Sequence, residues 1–168
     1  MNQTQLQKLI SILSELLEKY KGMLEDLGTP GDRIYNQAIA CLGKDMAPIH
    51  NEFGCAEAVN SIVELAMGKP VGGGVSTYRM MEVLKNTPSR FKPISFSEIK
   101  LGDIIISPTG YGSGGLQNGH VGIMSDSLKI MSNNSRNGLW EENYTWKSWV
   151  ARYRGVGGYP VYLFRVIS

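Results

Sequence analysis

Gly119-His120-Val121-Gly122-Ile123-Met124 sets a histidine between two glycines at the head of a short apolar run. β-Branched and small residues over five or six positions fit a buried strand. Sixty-five residues earlier stands Gly54-Cys55, at the start of a segment whose apolar residues Val59, Ile62, Val63 and Ala66 recur at steps of three and four. That spacing predicts a helix from Cys55 to Met67, stopped by Gly68-Lys69-Pro70. A cysteine at a helix start and a histidine at a strand head make a candidate nucleophile and base. With two histidines and two cysteines in 168 residues, few other pairings exist.

Upstream of Cys55 the pattern is helical. Leu6, Leu9, Ile10, Leu13, Leu16, Leu17, Tyr20, Leu24 and Leu27 share one face of a helix over residues 4–27. Glu15, Glu18, Lys19, Lys21 and Glu25 lie opposite, and Gly28-Thr29-Pro30-Gly31 ends the helix. The apolar seam lasts about three heptads, enough for two copies of the chain to pair. Its polar face is mixed in charge rather than basic, which argues against a membrane anchor. Ile34, Tyr35, Ala38, Ile39 and Leu42 predict a second helix over residues 32–42, with Cys41 packed inside it. Residues 44–53 have turn character, with Pro48 and Asn51, and Ser76 is a good N-cap for a helix over residues 77–85.

Downstream the period changes. Phe91-Lys92-Pro93-Ile94 reads as extended, residues 95–100 as a turn, and Ile104-Ile105-Ile106 as a strand buried on both faces. The glycine-rich loop 108–119 leads into His120–Met124, Ser125-Asp126-Ser127 reverses it, and Lys129–Ser132 returns as its partner. Weaker strands are expected around residues 138–144 and 146–153, and a final strand over residues 159–167. Helices followed by an antiparallel meander make an α+β fold. Residues 1–30 form an N-terminal amphipathic helix, and residues 31–168 one domain.

Hydrophobic residues are 42% of the chain and charged residues 19%, which fits a folded globular protein and excludes a disordered one. A net charge of +2 without a basic stripe gives no reason to expect a nucleic-acid partner. No stretch approaches the roughly 18 apolar residues of a membrane span, so stable membrane insertion is not expected. The first residues lack the basic and apolar regions of a secretory signal, so synthesis in the cytoplasm is expected. There, free thiols are favoured over a Cys41–Cys55 bridge. No histidine or cysteine pair has metal-ligand spacing, so neither metal nor cofactor is expected.

The chemistry needs a thiolate, and a helix N-terminus helps by placing unpaired N–H groups beside the sulfur. The Cys55 N–H is also a natural oxyanion donor. Gly54 and Gly119 would let a substrate backbone come close. His120 can take the thiol proton and return it to a leaving amine. A third group should orient the imidazole. If the reversal centres between Asp126 and Ser127, Asn133 lies opposite His120; a slip of one residue gives Ser132 or Asn134. Tyr111 and Trp140, with Tyr144, Trp146 and Trp149, are candidate cleft or sugar-stacking groups. Each of these has a structural alternative: a packed cysteine, a strand-edge histidine, turn residues and core aromatics.

Together these residues resemble the NlpC-type and CHAP families of papain-like cysteine peptidases and amidases. Gly54-Cys55 at a helix start, Leu101-Gly102-Asp103-Ile104-Ile105-Ile106 and Gly119-His120-Val121-Gly122-Ile123 carry the resemblance, which covers residues 33–167. It implies a papain-like domain in which Cys55 attacks and His120 serves as base. The implied substrate is bacterial peptidoglycan, cut at an amide bond by endopeptidase or N-acetylmuramoyl-L-alanine amidase action. NlpC-type enzymes usually carry Asp-Cys-Ser-Gly, where this chain has Gly54-Cys55-Ala56-Glu57. The NlpC hairpin would put the third member at Ser132, whereas the CHAP pattern points to Glu141-Glu142-Asn143. A small wall hydrolase without a secretory signal fits a phage lysin, released to act on the wall of the host cell. The other classes are a binding module on the same frame without catalysis, and a cysteine acyltransferase or peptidase with a different substrate.

Overall fold

The computed structural model describes residues 3–26, 28–50 and 53–168. Leu27 and Asn51, expected at a helix end and in a turn, lie outside the described residues, as does the side chain of Leu24. The first helix, α1, runs Gln3–Asp26. Thr29 then starts α2, Pro30–Ala40, by accepting from the Asp32 backbone N–H while the Asp32 carboxylate accepts from the Thr29 N–H at 2.9 Å. Helix α3 is Cys55–Met67, ended by Gly68 in the left-handed region. Helix α4 is Thr77–Asn86, capped by the Ser76 side chain. Strands β1 (Phe91–Pro93), β2 (Ile104–Ser107), β3 (His120–Met124), β4 (Lys129–Asn133) and β5 (Trp140–Thr145) follow, then a short helix α5 (Trp146–Trp149) and the last strand β6 (Tyr162–Val166).

The six strands form one open antiparallel sheet in the order β1-β6-β2-β3-β4-β5. Helices and sheet make this an α+β protein. Alternation explains why the isoleucine run of β2 is buried on both faces. Ile104 and Ile106 join Val121, Ile123 and Met131 against Ile34, Ala38, Val59 and Ile62 of α2 and α3. Ile105 faces the other way, with Met124 and Ile130, into a second cluster built on Trp149, Tyr153 and Tyr159.

The Leu101-Gly102-Asp103 turn is the bolt of the assembly. The Asp103 carboxylate is buried and takes two hydrogen bonds from Arg165 of β6, at 2.9 and 2.7 Å, and one from the Lys100 N–H at 2.6 Å. Gly102 has φ +79°, and a Cβ there would collide with the Gly31 carbonyl of α2. A side chain would fail there on both counts.

The strand expected over residues 146–153 is a correction. Trp146–Trp149 is helical, and Val150–Val156 continues it as a π-helical segment. Trp146, Trp149 and Tyr153 are spaced by three and four, a helical period, and Thr145 and Ser148 cap each other reciprocally at its start.

Candidate active site

Cys55 is the first residue of α3, behind the buried Gly54, whose carbonyl accepts the first helical bond from Ala58 at 2.8 Å. The N–H groups of Cys55 and Ala56 therefore have no intrahelical acceptor. Helix α3 packs across β3, which brings the sulfur against the Val121 N–H as well. These three N–H groups favour the thiolate, but burial outweighs them and pushes the Cys55 thiol up to about 11. Both cysteines are free, and Cys41 is buried with Gln37 Nε2 at 3.3 Å from its sulfur.

His120 opens β3, and its position depends on two close backbone approaches. A Cβ on Gly119 would strike the Ser107 carbonyl and Thr109 N, and one on Gly122 would meet Met131 O and Ile130 Cγ2 at 2.7 Å. Both glycines are thus required by packing, and Gly119 also lines the cleft described below. The Gly119 N–H is held by Thr109 Oγ1 at 2.9 Å, and Thr109 in turn by Thr77 at the start of α4. His120 is only 8% exposed. It stacks on Tyr153 (centroids 5.5 Å apart, planes at 17°), lies 5.4 Å from Trp149, and meets Tyr144 edge-on at 5.9 Å. Burial in this cage, with the charge of Arg152 nearby, lowers its pKa to about 3.

The ring's partner is Ser132, and the expected pairing with Asn133 is corrected. Ile123 stands opposite Met131 and Met124 opposite Ile130, so the reversal centres on Ser127. Ser127 and Leu128 take positive φ values of 52° and 59°, and the pairing register is one residue off the expected one. Side chains alternate along a strand, so that step puts Ser132 on the face of His120. His120 Nε2 and Ser132 Oγ are 3.0 Å apart, and Ser132 Oγ donates to Asn143 Oδ1 at 2.7 Å. The single serine proton is thus committed to Asn143, so the serine oxygen accepts from Nε2–H and Nδ1 carries the lone pair. Asn143 reaches Ser132 through a bulge in β5: Tyr144 pairs with Ile130 and Glu142 with Met131, leaving Asn143 as the extra residue.

Cys55 and His120 share the wall of one cleft of about 430 Å³, with Gly119, Thr109, Leu116 and Tyr153. Among the described residues no hydrogen bond joins the sulfur to the imidazole. Tyr111 lies elsewhere, donating to Glu82 at 2.9 Å beneath the Lys85 ammonium. Trp140 is a core residue, fully buried with its Nε1–H on the Ala38 carbonyl at 3.1 Å, and Asn133 stands opposite it on β4. Trp149 is equally buried, its Nε1–H on Ser107 Oγ at 3.1 Å. Asn134 forms the turn after β4 and donates to Glu141 at 2.7 Å. Among the described residues no cluster of three His, Cys, Asp or Glu side chains is placed to hold a metal ion.

Sequence reasoning passed over His50 and Arg152 here, and reached Asn143 only through the CHAP pattern Glu141-Glu142-Asn143. His50, the other histidine, lines the cleft with its Nδ1 2.9 Å from Glu57 Oε2, on the α3 turn that carries Cys55. Elimination among two histidines kept it in view, but only the fold brings it to the cleft that Cys55 lines. Asn143 was within the reach of pattern, and its bulge was not. Arg152 sits on the π-helical segment, where an expected strand hid it. Comparison with protein-family models and with curated proteins gives no match to this chain.

Proposed function

We propose that this protein is a papain-like cysteine amidase or peptidase that cuts an amide bond of bacterial peptidoglycan, in the setting of a phage lysin. One observation carries the reading: a helix-start cysteine and an imidazole oriented through Ser132 and Asn143 line the same cleft. With Nε2 held, Nδ1 is the nitrogen left for the thiol proton. As that proton moves to Nδ1, the sulfur attacks the amide carbonyl, and the developing oxyanion is met by the Cys55 N–H. Collapse expels the amine, which takes the proton from Nδ1–H and leaves a thioester on Cys55. Water, giving its proton to Nδ1, then hydrolyses the thioester and frees the thiol. We also propose that α1 pairs two copies of the chain through its apolar seam.

The test is mass spectrometry of fragments released from purified peptidoglycan. Wild type should release fragments with new termini that identify the cut bond, and Cys55→Ala should release none. Equal release by both proteins would end the proposal.

The neutral resting pair favours a second reading, a wall-binding module without turnover. It predicts that wild type and Cys55→Ala sediment equally with peptidoglycan while neither releases fragments.

A further inference from the structure

A second cavity, of about 450 Å³, abuts the first at His120, Ser135 and Arg152. Its wall differs in chemistry. Arg136, Asn143 and Ser148 line it, together with Arg152. Among the described residues neither arginine has a carboxylate within ion-pairing distance. The acids of neighbouring β5 are committed elsewhere. Glu141 accepts from Asn134 and Asn137, each at 2.7 Å, and Glu142 from Ser125 at 2.6 Å and Lys129 at 2.8 Å. Asn143 gives its oxygen to Ser132, which leaves its amide N–H groups as donors on the same wall.

Two arginines lining one polar cavity, with no carboxylate paired to them among the described residues, are matched by an oxyanion, and the planar fork of arginine suits a carboxylate. The cavity adjoins the cleft where the amide would be cut, so a carboxylate on the same peptide can reach it. We propose that this cavity is a substrate subsite in which Arg136 and Arg152 hold a free carboxylate of the acyl peptide. Choosing a peptide rests on the hydrolase reading; the anion preference rests on the cavity alone. Arg152 also has a second consequence. Its positive charge opposes protonation of His120, and a bound carboxylate offsets that charge. Substrates bearing the carboxylate should therefore stabilise the imidazolium needed for thioester formation.

The experiment measures binding without turnover, using full-length Cys55→Ala. Calorimetric titration compares L-alanyl-γ-D-glutamyl-L-lysyl-D-alanine with the same peptide amidated at both carboxylates, and with inorganic phosphate. The acid peptide should bind at least about tenfold tighter than the amidated one, as charge-assisted hydrogen bonds imply. Adding Arg136→Gln or Arg152→Gln should remove most of that ratio without changing affinity for the amidated peptide, while Arg136→Lys retains part of it. Equal affinity for the two peptides, binding of neither, or a ratio that survives both glutamine variants overturns the subsite. Phosphate binding as tightly as the acid peptide overturns the carboxylate assignment. Loss of the hydrolase reading would show separately, as absence of released fragments from peptidoglycan with wild type.

Discussion

With the Cys55 thiol pushed up to about 11 and the His120 imidazole down to about 3, the resting pair is uncharged at neutral pH. Burial has a thermodynamic signature at both ends of the pH scale. A histidine held neutral in the fold binds a proton below about 6.5 only when unfolded, so its contribution is complete above that value and is lost as pH falls toward about 3. The expected loss is about 2 kcal/mol by pH 5 and on the order of 5 kcal/mol in full. The cysteine acts in the opposite direction. Its contribution is complete below its ordinary value of 9.0 and is lost as pH rises toward about 11. Urea unfolding at a series of pH values should therefore show a plateau between about pH 6.5 and 9. His120→Gln should flatten the acid limb; an unchanged limb would mean that His120 is not held neutral. Iodoacetamide offers a kinetic check, because thiolate is the reacting form. Labelling of Cys55 in the folded protein should have its midpoint well above that ordinary value of 9.0, and a midpoint below it would contradict the burial.

At the scale of elements, the β5 bulge and the Asp103–Arg165 clamp bear on activity and stability separately. Asn143 is hydrogen-bonded to His120 through Ser132, so in the proposed hydrolase it is a positioning residue. Asn143→Ala should lower kcat roughly 10- to 100-fold with KM little changed, and Asn143→Asp, which keeps an acceptor for the serine proton, should recover part of the loss. Equal kcat in wild type and Asn143→Ala would remove the relay from the mechanism. Asp103→Ala leaves a partly buried guanidinium without its carboxylate. It should cost about 3 kcal/mol in chemical denaturation without a selective effect on kcat. The helices α3 and α4 and the strands of the β2–β3–β4 meander were legible because period and caps agree along them. The 146–153 segment was misread although Trp146, Trp149 and Tyr153 already carry a helical step. Cys55 and His120 were legible from residue type and place. Their third partner was legible only as an alternative, Ser132 beside the preferred Asn133, since one residue of register at Ser127 decides which face the two take, and no local pattern announces the bulge that re-aims Asn143.

At the scale of the molecule, α1 stands apart from the sheet. Leu6, Ile10, Leu13, Leu17 and Tyr20 follow heptad spacing along it and are between 44 and 60% exposed, with Leu9 and Leu16 widening the stripe. A helix usually owes most of its stability to packing of its apolar face, so a 24-residue helix with this face in water calls for a partner. A second copy fits better than a lipid surface. The helix carries three lysines (Lys8, Lys19, Lys21) against four acids (Glu15, Glu18, Glu25, Asp26), which gives no attraction to anionic headgroups. No helix among the described residues is long and apolar enough to cross a membrane. Each seam leucine that becomes fully buried adds about 1.5 kcal/mol or more. Sedimentation velocity at micromolar concentrations should show the wild type self-associated and Leu13→Glu/Leu17→Glu monomeric. Because the seam lies on α1 and the cleft on α3, β3 and the loops around them, the double variant should keep its activity per chain on soluble wall fragments. A monomeric wild type would remove the pairing while leaving the Cys55 cleft as described.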